Sequence, residues 1–189
     1  DPFVTVNIHY HKNPGEGTAV TDSTEAGFVF YKDGDVIDYV VETNLLPHRG
    51  WTIPAGEPNY EVNNTYDITE DIFLLSMGPH MHYRGKAMRY ELEYPDGERE
   101  VLLRVPDYDF NWQFLYEYET PKFTPAGSTI HMSWWFDNST GNRWNPDPAA
   151  DVVYGLATTD EMANARIYFA PTTPQGIVVG EAIGRGWSQ

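Results

Sequence analysis

The chain has 189 residues, enough for one substantial core or for a domain plus a fragment of another. Its 28 Asp and Glu against 12 Lys and Arg give a net charge of −16. That balance argues against nucleic acid or an anionic membrane as a partner, because both need a basic surface. There is no cysteine, so disulfides and thiolate metal sites are excluded, and any metal must be held by His, Met, carboxylate or carbonyl. Aromatic residues are plentiful (six Trp, thirteen Tyr, nine Phe), and no long stretch keeps a helical apolar period. No apolar run is long enough to span a membrane and no signal peptide is visible, so membrane insertion is not expected. The chain starts at Asp1 and is read as a processed or partial product. Its acidity fits a soluble protein in a salty or extracellular setting, and a secreted or periplasmic location is expected.

In chain order, residues 3–11 alternate, with Val4, Val6, Ile8 and Tyr10 on one face and Thr5, Asn7, His9 and His11 on the other. The turn-forming run 12–17 ends this strand, and the polar segment 12–25 separates it from the rest. Residues 1–14 are therefore read as a terminal strand that could belong to a missing N-terminal domain, and residues 15–189 as the main domain. Strands are expected at residues 27–31 and 36–43, a loop at 45–50, then strands at 59–66 and 71–82. Strands at 89–94 and 99–105 flank the hairpin signal Pro95-Asp96-Gly97. Further strands are expected at 110–118 and 128–137, then a polar loop over 138–148. Residues 158–162 lead into Ile167-Tyr168-Phe169, and the tail from Pro171 is Gly-rich. About nine or ten short strands predict an all-β fold, an antiparallel two-sheet sandwich or jelly roll.

The chemistry concentrates in Gly78-Pro79-His80-Met81-His82-Tyr83-Arg84-Gly85-Lys86, which follows the apolar run Ile72-Phe73-Leu74-Leu75. On one strand, residues i and i+2 share a face, so His80 and His82 would present two imidazoles together as a metal site. On spacing alone, the pair is equally two histidines on a solvated face. Met162 alone reads as a core methionine.

The stretch 79–86 and the downstream Thr158-Thr159-Asp160-Glu161-Met162 together resemble the paired signatures of the copper type II, ascorbate-dependent monooxygenases. This is the family of peptidylglycine α-hydroxylating monooxygenase and dopamine β-monooxygenase. Residues 105–113, the 136–148 loop and His9-Tyr10-His11 with Thr21-Asp22-Ser23 resemble its bacterial branch, and the likeness runs from about Val6 to Phe169. The resemblance implies the C-terminal, copper-binding domain of an enzyme that uses dioxygen and ascorbate or another reductant to hydroxylate a C–H bond of a small molecule. His80, His82 and Met162 would hold the copper that meets dioxygen. Two imidazoles suit both oxidation states, a thioether favours Cu(I), and three protein ligands leave a position open.

His9 would be one ligand of a second copper, whose other ligands in the family are adjacent histidines in an N-terminal domain. No adjacent pair occurs here, so that copper domain would lie upstream or on a separate chain. His11 is the weaker candidate. Of the family's substrate-contacting positions, Asn164 matches. Gly78 stands where peptide-amidating members carry an arginine, and Arg166 stands where they carry a tyrosine. Arg166 could bind an anion from this new position. The alternative reading is a non-catalytic copper-binding or structural module of the same fold.

Of the remaining candidates, His131 reads either as a group near the copper or as a buried hydrogen-bonded histidine, and His48 as an exposed loop residue. Asp107, Asp109, Asp137, Asp147 and Asp151 do not have calcium-loop spacing and read as turn formers. The sequons at Asn63 and Asn138 matter only where secreted proteins are glycosylated.

Overall fold

The computed structural model describes residues 4–6, 8 and 21–180. Its strands are β1 (Val36–Ile37), β2 (Glu42–His48), β3 (Thr52–Ile53), β4 (Tyr60–Asp67), β5 (Ile72–His80) and β6 (Gly85–Glu93). They continue with β7 (Arg99–Val105), β8 (Tyr116–Thr124), β9 (Thr129–Phe136), β10 (Val152–Val153), β11 (Ala163–Pro171) and β12 (Ile177–Val178). The described residues contain no helix.

The eight long strands form two antiparallel four-stranded sheets, β2-β11-β5-β8 and β4-β9-β6-β7. Among these eight, first pairs with last, second with second-last, third with third-last, and the middle two with each other. This nested winding is the jelly-roll arrangement. The predicted all-β sandwich is what forms. Two short pairs, β1-β12 and β3-β10, lie beside the main sheets.

The core is built by plain alternation. In β6, Met88, Tyr90 and Leu92 are buried between the more exposed Ala87, Arg89, Glu91 and Glu93. In β9, Ile130, Met132, Trp134 and Phe136 are all 0 % exposed. β11 contributes Ala163, Ala165 and Ile167 to the same core, which turns Asn164, Arg166 and Tyr168 to the opposite face.

β5 departs from simple alternation. Its register with β11 and with β8 shifts around Leu75. Ile72 and Leu74 face the core before this bulge, and Met77 does so after it. One extra residue inverts the parity of a strand. Ser76, Gly78 and His80 therefore stand on the face turned away from the core, opposite Tyr168, Arg166 and Asn164.

Several expected elements differ. The strand expected at 36–43 divides into β1 and the start of β2, and the one expected at 89–94 begins earlier, at Gly85. Residues 27–31 form no strand, and Val29 and Phe30 are 100 % and 80 % exposed. Their apolar run pairs with none of the sheet edges, and an unpaired strand has no ladder to hold it. Residues 45–48, expected as loop, belong to β2. That strand lies at the sheet edge, where Pro47 tolerates its missing N–H. Residues 110–115 are irregular. Asp109 closes a turn there, with its Oδ1 accepting the Asn111 N–H at 2.8 Å and its carbonyl that of Trp112 at 2.9 Å. Val4, Val6 and Ile8 are exposed and in no strand; the rest of the expected 3–11 strand, with His9 and His11, lies outside the described residues.

Candidate metal centre

Antiparallel pairing of β5 with β11 sets the site. Asn164 is directly opposite His80, and Met162 and His82 follow just beyond the paired ends of the two strands. Directly opposed residues share a sheet face. The Asn164 Nδ2 donates to the Met162 Sδ at 3.2 Å, which places the thioether on the same side. The imidazoles of His80 and His82 meet edge to face with centroids 5.3 Å apart. Two residues expected from one strand are in fact held differently. His80 ends β5, whereas His82 is fixed by tertiary hydrogen bonds.

Both rings are committed through Nδ1. The His82 Nδ1 lies 3.2 Å from the Asp160 carbonyl, which can only accept, so this nitrogen carries the proton. The His80 Nδ1 lies 2.6 Å from Gln113 Oε1. The Gln113 amide is oriented independently, because its Nε2 donates to the Phe110 carbonyl at 2.6 Å. Both imidazoles therefore have Nδ1–H facing an oxygen, and a metal would take Nε2 of each. Outer-sphere oxygens orient metal-binding histidines in this way. Burial holds the His82 pKa below the ordinary histidine value, and the neighbouring His80 acts in the same direction. Both effects favour the neutral, ligating ring.

A buried carboxylate ties the two halves of the site together. Glu161 is 0 % exposed. It accepts the backbone N–H of Arg84 at 2.6 Å, of His82 at 2.8 Å and of Met162 at 3.2 Å. Burial pushes its pKa up, while the three N–H groups and the nearby Arg84 guanidinium favour the charged form. Arg84, 1 % exposed, donates from Nε to Asn138 Oδ1 at 2.7 Å and from Nη1 to the Thr159 carbonyl at 2.8 Å. Tyr108 pins Met81, the residue between the histidines. Its hydroxyl accepts from the Met81 N–H at 3.0 Å and donates to the Met81 carbonyl at 2.8 Å.

Among the described residues no group of three His, Cys, Asp or Glu side chains gathers as a metal site. A metal held here would therefore need a donor beyond the two imidazoles, and the Met162 thioether lies on the same sheet face. Two neutral imidazoles and one sulfur suit copper better than zinc, calcium or magnesium. Met162 and His82 are 7 % and 4 % exposed. His82 also lines a cleft of about 420 Å³ with Tyr83, Phe110, Asp137, Arg143 and Trp144.

The other candidates fall elsewhere. Arg166 is exposed on the His80 face, directly opposite Gly78. His131 lies on the second sheet, where its Nε2 is 2.9 Å from Glu93. His48 is half-buried at the end of β2. Asp137 and Asp147 cap backbone N–H groups two residues ahead, as turn formers do. Asn138 is 0 % exposed and donates to the carbonyls of Pro54 and Ala150, which rules it out as a glycan acceptor in the folded chain. Gln113, Tyr108, Arg84 and Glu161 were given no role by sequence reasoning. Their signal was position: each lies inside a stretch that carries the family resemblance. No family model matches the chain, and a search of curated proteins finds no match.

Proposed function

We propose that this chain is the copper-binding domain of a dioxygen-dependent, reductant-driven monooxygenase that hydroxylates a C–H bond of a small molecule. The observation that carries the reading is the edge-to-face pair of His80 and His82, with both Nδ1 atoms hydrogen-bonded to oxygen, beside a Met162 thioether oriented by Asn164, the residue directly opposite His80. When bound, copper would supply the redox couple needed to activate dioxygen. The chain's own residues do the positioning. Gln113 and the Asp160 carbonyl fix the tautomers, Asn164 orients the thioether, and Glu161 holds the His82 and Met162 segments together.

The cleft beside His82 offers room for a small-molecule substrate, and Arg166 would pair with an anionic group on the His80 face. In this reading, ascorbate or another reductant is the co-reactant. His9, with adjacent histidines of an N-terminal copper domain, would hold a second copper, and the chain would work in a secreted or periplasmic setting. A non-catalytic copper-holding module is the alternative, favoured by the burial of His82 and Met162.

The test is Cu(I) competition titration of wild type, Met162→Ala and His80→Ala, followed by reductant-dependent oxygen uptake. One tightly held Cu(I), weakened at least about ten-fold in Met162→Ala, is expected because the soft ligand is lost. No copper binding, or an unchanged Met162→Ala, ends both readings. Copper binding without oxygen uptake in the presence of the N-terminal domain selects the module.

A further inference from the structure

On the outer face of the β4-β9-β6-β7 sheet, three cationic side chains meet without close carboxylate partners. β6 and β7 place Arg89 directly opposite Arg104. Like charges directly opposed across an antiparallel pair weaken it. A chain with 28 acidic and 12 basic residues has acidic side chains to spare, yet among the described residues only Glu91 comes within ion-pair range of this pair, on the Arg89 side. Arg104 is exposed and forms no ion pair among the described residues. Arg89 reaches Glu91 only at 3.8 Å, and Arg99 holds that carboxylate at 3.1 Å. The Lys86 Nζ donates to the Pro58 carbonyl at 3.1 Å and to Asn59 Oδ1 at 2.8 Å, both neutral acceptors.

These three side chains line one groove of about 380 Å³. Trp135, Val105 and Pro106 form apolar wall, and no carboxylate residue lines it. The Arg89 guanidinium lies over the Trp135 ring, 5.9 Å from its centroid. The groove therefore combines a flat aromatic surface with positive charge that no carboxylate of its own lining balances, in a protein whose overall charge repels anions. Guanidinium pairs are suited to planar anionic groups, and an indole is suited to a flat body beside them.

We propose that this groove binds an organic anion with a flat apolar body, an aryl carboxylate or aryl phosphate. Arg89 and Arg104 grip the anionic head across the β6–β7 pair, and Trp135 with Val105 and Pro106 covers the ring. The ligand supplies the negative charge that the sheet leaves out.

The test is calorimetric titration of the full chain with 1-naphthyl phosphate and with 1-naphthoate at low ionic strength, about 20 mM, where screening is weak. Inorganic phosphate and uncharged 1-naphthol are the controls. Saturable binding of at least one aryl anion is expected, and the tighter of the two identifies the head group. Arg104→Gln and Arg89→Gln should each weaken it roughly five-fold or more, as loss of a charge-assisted hydrogen bond to the anion requires. Arg104→Gln should also melt at the same temperature as wild type or higher without ligand, because it relieves the Arg89–Arg104 repulsion. A purely structural arginine would lower the melting temperature instead. The proposal is overturned if neither aryl anion binds below about 5 mM, if the variants bind as wild type does, or if either control binds as tightly as the aryl anion.

Discussion

Glu161 accepts the backbone N–H of His82 at 2.8 Å, so the carboxylate beside one candidate ligand in sequence holds the backbone of another from across the sheet. The same group takes the N–H groups of Arg84 and Met162. Glu161→Gln keeps the volume but turns one acceptor oxygen into an N–H donor facing a donor. Buried donors left unpaired cost about 1–3 kcal/mol each. We expect Glu161→Gln to lower unfolding free energy by about 2–4 kcal/mol and Cu(I) affinity by ten-fold or more, the order seen when outer-sphere partners are lost. Urea unfolding and Cu(I) competition report the two effects separately. Unchanged copper affinity in a folded Glu161→Gln protein would show that the clamp does not set the ligand geometry.

Tyr108 makes both hydrogen bonds of the Met81 backbone, and Met81 is 0 % exposed. Tyr108→Phe keeps the ring and strips both partners at once. Because Met81 is buried, about 2–4 kcal/mol of stability should be lost. A shift of the urea midpoint corresponding to less than about 1 kcal/mol would mean that solvent reaches Met81.

Among the described residues, the Gln113 side chain hydrogen-bonds the ring of His80 and the Phe110 carbonyl, and it stands on an exposed loop. Gln113→Ala should therefore leave the unfolding midpoint nearly unchanged. Cu(I) should bind about 10- to 100-fold more weakly, because the imidazole loses the partner that fixes its tautomer. Equal losses of stability and affinity would assign Gln113 to the fold instead.

Much of the sandwich was legible because its strands obey a period of two. Met88, Tyr90 and Leu92, and Ile130, Met132, Trp134 and Phe136, point inward as their alternation requires. The Pro95-Asp96-Gly97 turn closes where expected, with Gly97 at φ 87°. The same signal misleads where pairing is decided at a distance. Phe28 to Tyr31 look like a strand but meet no edge, whereas Pro47 sits in one because β2 is an edge. The bulge at Leu75 has no local signature, yet it decides which face His80 occupies. At the candidate centre, the spacing of His80 and His82 was readable. The function of Glu161 was not, because an acidic residue beside a methionine reads as solvated until the tertiary fold buries it.

The second sheet carries its own pH dependence. Glu93 accepts from His131 at 2.9 Å and from Arg99, and these partners hold its pKa below the ordinary 4.5. Glu100 is lowered likewise by Lys122 at 2.8 Å and by Tyr94 at 2.8 Å. A carboxyl with a depressed folded pKa binds its proton less readily folded than unfolded. Its stabilisation is therefore complete above about 4.5 and is lost as pH falls through the lower folded value. Both groups are exposed enough for salt to weaken the effect. Thermal melts between pH 6 and about pH 3 should show a falling melting temperature, and a Glu93→Gln, Glu100→Gln double variant should show a shallower fall. An identical acid limb in the double variant would place the titrating groups elsewhere.

Two glycines flank the histidine pair, and their surroundings set opposite expectations. A Cβ on Gly85 would lie 2.6 Å from the Met81 Cβ and 2.7 Å from the Tyr108 Cδ1. Both neighbours are buried, and Tyr108 is locked by the hydrogen bonds to Met81, so neither can retreat without moving the backbone between His80 and His82. A Cβ on Gly78 would meet the Leu115 Cδ2 at 2.9 Å, the far end of a side chain that is 43 % exposed on an irregular loop. That methyl can swing aside at little cost. Gly85→Ala should therefore destabilise by about 3 kcal/mol, the upper range for overpacking, and lose Cu(I) at the same time. Gly78→Ala should stay within about 1 kcal/mol of wild type and keep its copper. Unfolding curves and Cu(I) titrations of the two variants, measured side by side, decide the matter. Equal behaviour would mean that the packing of Met81 against Tyr108 does not control the histidines, and the rigid placement assigned to His80 and His82 would fall with it.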